Sequence, residues 1–157
     1  MSAGGSPDAV DALREWGRRE RISSDWIVID QARIDMFASA TGDGYWLHTD
    51  PARAERESPY RSTIAHGFLL LSLTVGDDVD RITAMPCVAH VLNYGLDKVR
   101  FLMPVLCGAR VRVRSRLESL AERQPGCWLL RQSKIMDIQG KATAALVAEH
   151  LALVTLA

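Results

Sequence analysis

Long apolar runs are missing from this chain of 157 residues. None approaches the roughly 20 residues that a bilayer-spanning helix needs, so no membrane span is expected. Excess charge is missing too. Lys and Arg number 19 together, Asp and Glu 19, and the formal net charge is zero. That balance lacks the electrostatic footprint of a nucleic-acid binder, and no such partner is expected. Cysteine is scarce: Cys87, Cys107 and Cys127 are odd in number, far apart and without metal-site spacing. They predict free thiols in a reducing compartment. The first 21 residues, MSAGGSPDAVDALREWGRRER, hold no apolar secretion-signal core, and the expected location is cytoplasmic. Internal repeats, low-complexity tracts and linkers are absent as well, which at this length predicts a single domain.

What is present alternates between helix-like and strand-like patterning. Residues 1–6 read as a disordered tip. Pro7 and Asp8 open an amphipathic helix whose apolar face carries Val10, Leu13 and Trp16. DWIVID (25–30) reads as a short strand. Asp30 is placed to cap a following helix, QARIDMFASA, in which Ile34, Phe37 and Ala38 share a face and Gly42 supplies the stop. Residues 42–62, rich in Gly, Pro, Ser and charge, predict an irregular excursion with one helical turn after Pro51. In IAHGFLLLSLTVGDDV nearly every position from Phe68 to Val75 is apolar, which predicts a helix buried on all sides. After Pro86 the chain turns to strand formers: CVAHVLNYGLDKVRFLMPV is extended, with a break near Gly95. RVRVRSRL (110–117) alternates strictly. Arg110, Arg112, Arg114 and Arg116 face one way; Val111, Val113, Ser115 and Leu117 face the other. Turns at 124–126 and 139–140 bracket CWLLRQSKIMDI, and KATAALVAEHLALVTL is the last strand. Helices first, then a meander of antiparallel strands, define an α+β domain. The Phe68–Val75 helix is the cover for the buried face of the sheet.

The excursion also carries chemistry. GDGYWLHTD (42–50) sets Asp43 and His48 five positions apart. Alone, each has a plain explanation, as a Gly-Asp-Gly turn former and a solvated loop histidine. Downstream, Ala65, His66 and Gly67 open the buried helix, where His66 equally fits a core histidine. Together they suggest more. A carboxylate and a neutral imidazole can both accept hydrogen bonds from one water and take its proton. The first N–H groups of a helix lack internal partners and favour a developing oxyanion. A thioester carbonyl at the Gly67 N–H would gain negative charge as its conjugated double bond is attacked, and glycine lets a substrate approach the backbone. The combination suits hydration of a conjugated thioester.

The run FASATGDGYWLHTDPARAERESPYRSTIAHGFLLLSL, residues 37–73, resembles the MaoC-like dehydratases, the (R)-specific enoyl-CoA hydratases of the hotdog fold. The shared pattern is Gly-Asp, four residues, His, then Ile-Ala-His-Gly and an apolar helix. NYGLDKVRF (93–101), with Trp46 just before Leu47-His48, is similar to the nodulation protein N-like branch. Tyr45 and Trp46 stand where many members of the wider family carry Asn-Pro.

The resemblance implies a hotdog domain over residues 22–157, a long central helix wrapped by an antiparallel sheet, with residues 1–21 as a helical extension. It implies a homodimer with its site at the interface. It implies reversible hydration of trans-2-enoyl thioesters to (3R)-3-hydroxyacyl thioesters, as in fatty acid metabolism. Asp43 and His48 would activate water and the Gly67 N–H would hold the thioester oxygen. Tyr45, Trp46, Ala65, His66, Ser72, Asn93 and Tyr94 would line the substrate pocket. For Ser72, a hydroxyl bonded back to the preceding turn is an equal explanation, as packing is for Trp46 and strand support for Asn93 and Tyr94. No metal or redox cofactor is implied; coenzyme A or acyl carrier protein would carry the acyl group. The arginines of 110–116 are placed to meet phosphates of coenzyme A or to form an exposed strand face. A thioesterase attacking the carbonyl carbon and a non-catalytic acyl-thioester-binding subunit are the alternatives on the same fold.

Overall fold

The computed structural model describes residues 7–157, and the tip expected at 1–6 lies outside them. In chain order the elements are α1 (Pro7–Gly17), β1 (Arg21–Ile22), β2 (Ile27–Val28), α2 (Gln31–Thr41), α3 (Trp46–Thr49), α4 (Pro51–Glu57), α5 (Gly67–Ser72), α6 (Gly76–Thr83), β3 (Val88–Phe101), β4 (Arg110–Gln124), β5 (Cys127–Ile138) and β6 (Leu146–Leu156). Helices precede long antiparallel strands, as the patterning predicts. The Asp30 carboxylate accepts the Arg33 N–H at 2.9 Å and so starts α2. Gly42 ends it at φ 79°, returning its N–H to Ala38 O, a left-handed stop that suits glycine.

Several expectations need correction. The DWIVID strand shrinks to Ile27–Val28 beside β4. The excursion holds two helical segments: Trp46–Thr49 makes a turn of its own before α4, which Asp50 caps through Arg53 N. The central helix is not one long rod. The Ser72 and Thr74 hydroxyls donate to Leu69 O and Leu71 O, each at 2.7 Å, and the Thr74 N–H also turns to Leu71 O. Side-chain donors competing for carbonyls bend and end a helix; α6 restarts at Gly76. Nor is that helix buried all round. Leu69, Leu70 and Leu71 are buried, but Phe68 is 69% exposed.

The sheet order is β1-β4-β5-β6-β3, with β2 also beside β4. A simple meander would put β3 next to β4. Instead residues 102–109 carry the chain across, and β3 lies along β6 at the sheet edge. Gly95 does not break β3. The register shifts there, between Asn93 and Gly95, and pairing continues to Phe101. The β4 arginines face outward as expected and are largely neutralised. Arg114 pairs with Asp137 and Glu20, both at 2.8 Å, and Arg116 with Glu118 at 3.0 Å. Arg112 lies over the Trp26 ring.

The inner face of the sheet divides into thirds. Val111, Val113, Met136, Leu146 and Ala148 join Ile29, Ile34 and the α5 leucines in one apolar cluster. Leu130, Ala152, Val154 and Leu156 join Val10, Leu13 and Ile82 in a second. Between them a polar row crosses three strands: Ser115 opposite Lys134, then Gln132 opposite His150. Asp78 of α6 covers the row. It accepts from Lys134 Nζ, from Arg21 Nη2 at 2.7 Å and from Gln132 Nε2 at 3.4 Å. Lys134 is 0% exposed and Asp78 1%. Burial pushes the Asp78 carboxyl up, but the Lys134 ammonium and the Arg21 guanidinium outweigh it and hold the group below its usual range. Residues before 22 belong to this construction. Leu13 is wholly buried in the second cluster, and Gly17 sits against Leu117. The strand β1 straddles the boundary expected at 21/22.

Candidate active site

The Gly42 stop releases the chain into a short loop that carries Asp43 past the end of α2, and α3 then turns His48 back toward it. One carboxylate oxygen of Asp43, one ring nitrogen of His48 and one of His66 all lie within 4.8 Å of one another. A water oxygen about 2.8 Å from each of two acceptors bridges a gap of up to roughly 5 Å, so the spacing is one that a single water could bridge.

Backbone carbonyls decide which nitrogen of each ring bears a hydrogen. His48 Nδ1 lies 2.7 Å from Ile64 O. A carbonyl only accepts, so Nδ1 carries the hydrogen and the lone pair of neutral His48 is on Nε2. His66 Nε2 in turn donates to the Asp43 backbone carbonyl at 2.9 Å. The two imidazoles stack, 3.9 Å between centroids, and the tilted Phe37 ring lies 5.0 Å from His66. His66 is 2% exposed. It therefore braces both Asp43 and His48, the loop of Asp43 by a hydrogen bond and the ring of His48 by contact. So buried a ring offers little surface to a substrate.

The same three side chains invite the question of a metal. Two imidazoles radiating from one ion at ~2.1 Å would hold their centroids roughly 5 Å apart, and His48 and His66 are closer than that. A shared ion would have to part the stack by about an ångström, so the set fits a metal poorly.

Further supports hold His48 from below. Gln31, at the first turn of α2, donates its amide to His48 O at 2.7 Å and accepts from Thr63 Oγ1 at 2.6 Å. The 63–65 segment is tied in turn: Ile64 N–H to Leu47 O, Ala65 N–H to Val105 O, and Cys107 N–H to Thr63 O. Gln31, Thr63 and Ile64 were not anticipated. An amide gripping a backbone carbonyl leaves no spacing pattern in a sequence.

Beside His48 lies a cavity of about 320 Å³ lined by Ala65, Gly67, Leu70, Phe101 and Met103, among others. Gly67 is the first residue of α5, so its N–H has no acceptor within that helix. A Cβ at Gly67 would stand 3.0 Å from the Phe101 ring. Tyr45 is about half exposed, and its ring neighbours Trp46 at 5.7 Å. Trp46 is half-buried under the Arg53 guanidinium, 4.3 Å away, in keeping with a packing role. Ser72, Asn93 and Tyr94 line a different, larger groove that neither Asp43 nor His48 reaches.

An antiparallel sheet laid against a short apolar helix that opens on Ala-His-Gly is the hotdog arrangement, and solved structures share it. A monoamine oxidase regulatory protein from Archaeoglobus fulgius superposes with a TM-score of 0.75 at 25% identity, covering 87% of this chain and 88% of that one. An (R)-hydratase from A. caviae, involved in PHA biosynthesis, matches in fold with a TM-score of 0.70 at 23% identity, covering 85% and 92%. The MaoC-like domain model matches residues 17–126, and the chain belongs to that family. Among its relatives, 3-hydroxyacyl-thioester dehydratase Z of Mycobacterium tuberculosis is 41% identical over 128 residues, 82% of this chain and 83% of that protein. Nodulation protein N of Rhizobium leguminosarum bv. viciae is 39% identical over 131 residues, covering 83% and 81%.

Proposed function

We propose that the protein reversibly adds water to trans-2-enoyl thioesters, giving (3R)-3-hydroxyacyl thioesters, as a hydro-lyase of the enoyl-CoA hydratase 2 type. The observation that carries this is the closeness of the Asp43 carboxylate to a ring nitrogen of His48, beside a cavity that His48 and Gly67 both line. The names of the relatives, a 3-hydroxyacyl-thioester dehydratase above all, agree with it.

Water held between Asp43 and His48 Nε2 attacks C3 of the conjugated thioester. His48 takes one of its protons as the C3–O bond forms, and Ile64 O, already bonded to Nδ1–H, steadies the imidazolium. The electron pair moves onto the thioester oxygen, which the Gly67 N–H receives. The imidazolium then returns its proton to C2, so hydroxyl and hydrogen are both delivered and the dyad is restored. Water is the nucleophile and the double bond is already polarised, so the scheme uses no metal or redox cofactor. The acyl carrier is coenzyme A or acyl carrier protein, in the cytoplasm. A second copy would pair along the open edge of β3, where Leu92, Tyr94 and Leu96 are exposed, and bring the site to the interface of a homodimer.

Crotonyl-CoA tests the reading. Conjugated absorbance should fall without release of free thiol; released thiol would mean hydrolysis instead. Asp43→Asn and His48→Gln should each lower turnover by on the order of a hundredfold or more. Near-normal turnover in both variants would remove the dyad from the mechanism.

A further inference from the structure

The larger groove, about 620 Å³, is lined by Phe68, Leu71, Ser72 and Val75 on the helix side and by Asn93 and His150 on the sheet side. Apolar walls suit an acyl chain, and Tyr94 and Leu96 continue that character on the sheet side, but Asn93 and His150 interrupt it with polar groups. His150 is 3% exposed, and its Nε2–H donates to Asn93 Oδ1 at 3.0 Å. That bond uses the oxygen of the Asn93 amide and turns its NH₂ the other way. Asn93 is exposed, so this oriented donor is open to the groove. The strand is shaped around it: β3 is irregular at this point, with Asn93 opposite Ala152 and Gly95 opposite Leu151. Such bulges re-aim side chains and gather near binding sites. Next to His150, Asp78 serves two cations, Arg21 and Lys134, so the inner polar row has a positive excess. A plain hydrocarbon would bury a donor unpaired here, whereas an oxygen would satisfy it.

We infer that the groove selects acyl thioesters bearing an oxygen acceptor in mid-chain, a keto or hydroxyl group received by the Asn93 amide that His150 holds in place. This deepens the hydratase reading by naming its substrate class, and rests on it. Gly67 lines the cavity at His48 and Ser72 lines the groove. Five residues of helix separate them, roughly 7 Å along the axis, so a chain must run at least that far from the thioester before it meets the groove.

Binding of saturated thioesters tests this apart from catalysis. Octanoyl-CoA would be compared by calorimetry with isomers carrying one keto group at the fifth, sixth or seventh carbon. One keto isomer should bind wild type about fivefold to tenfold more tightly than octanoyl-CoA. Asn93→Leu should erase the advantage. Asn93→Asp, which exchanges the donor for an acceptor, should reverse it. Equal binding of all four thioesters by wild type would overturn the inference, as expected if a second copy of the chain fills the groove. An advantage retained in Asn93→Leu would overturn it too. Wild-type hydration of crotonyl-CoA separates the two ideas. Hydration with no keto preference sinks the selectivity alone, while a keto preference without hydration sinks the reaction alone.

Discussion

Lowering the pH from 7.5 to 5 is expected to remove about 2 kcal/mol of folding stability through one side chain, His150. The imidazole is nearly inaccessible and lies beside the Lys134 ammonium, with Asp78 of α6 as the nearest opposing charge and neutral Asn93 of β3 as its hydrogen-bond partner. Burial, reinforced by Lys134, pushes its pKa down to about 4 from an ordinary 6.5. The unfolded chain therefore takes up a proton as pH falls through 6.5, while the folded protein refuses it until about 4. Stability from this group is complete above 6.5 and drains away between the two values. From 6.5 to 5 is roughly 1.5 pH units at about 1.4 kcal/mol each, which gives the ~2 kcal/mol. Urea unfolding of wild type and His150→Leu at both pH values measures it. The variant should be less stable overall but should lose less on acidification. Titration of the other histidines is common to both proteins and cancels in the comparison. Equal acid losses in the two proteins would refute the reasoning, because the burial of His150 would then carry no proton linkage.

Two further outcomes follow from packing. Asp78→Asn leaves the buried Lys134 and the half-buried Arg21 without a counter-charge and should cost about 3–5 kcal/mol, read as a shift in the denaturation midpoint. Lys134→Met should cost less, because Arg21 remains on Asp78; the opposite ranking would mean that the pair is not ionised. Gly17→Ala would set a Cβ 2.3 Å from Leu117 Cβ, and should lower stability by about 1–3 kcal/mol as α1 lifts from the sheet. A melting temperature equal to wild type would show that this contact is slack.

Much of the architecture can be read from local pattern, because caps and alternation act over a few residues. Asp30 starts α2 through its carboxylate, Gly42 ends it because it has no side chain to oppose a left-handed turn, and the Arg/Val alternation of 110–117 orients β4 correctly. The strand order could not be read the same way. Whether β3 neighbours β4 or β6 depends on where an eight-residue connection travels, and nothing in 102–109 records it. The break after Ser72 was masked by hydrophobicity, since Leu-Ser-Leu-Thr-Val looks helical until the hydroxyls find carbonyls. The buried Lys134 was visible in principle. It shares one strand face with Leu130, Gln132, Met136 and Ile138, but a lysine is ordinarily assigned to solvent. At the site, the motif pointed to Asp43, His48 and Gly67. The supports through Gln31 and the Ile64 carbonyl lay beyond sequence because the partner is main chain.

The polar row also answers a problem that alternation leaves open. Sliding β5 by two residues along β4 would keep every inward side chain inward, and the hydrophobic pattern alone would not object. The row would. After such a slip Lys134 would face Val113 or Leu117 in place of Ser115, and an ammonium would be stranded among hydrocarbons. One lysine thus works like the single tooth of a ratchet, admitting one alignment of the long strands.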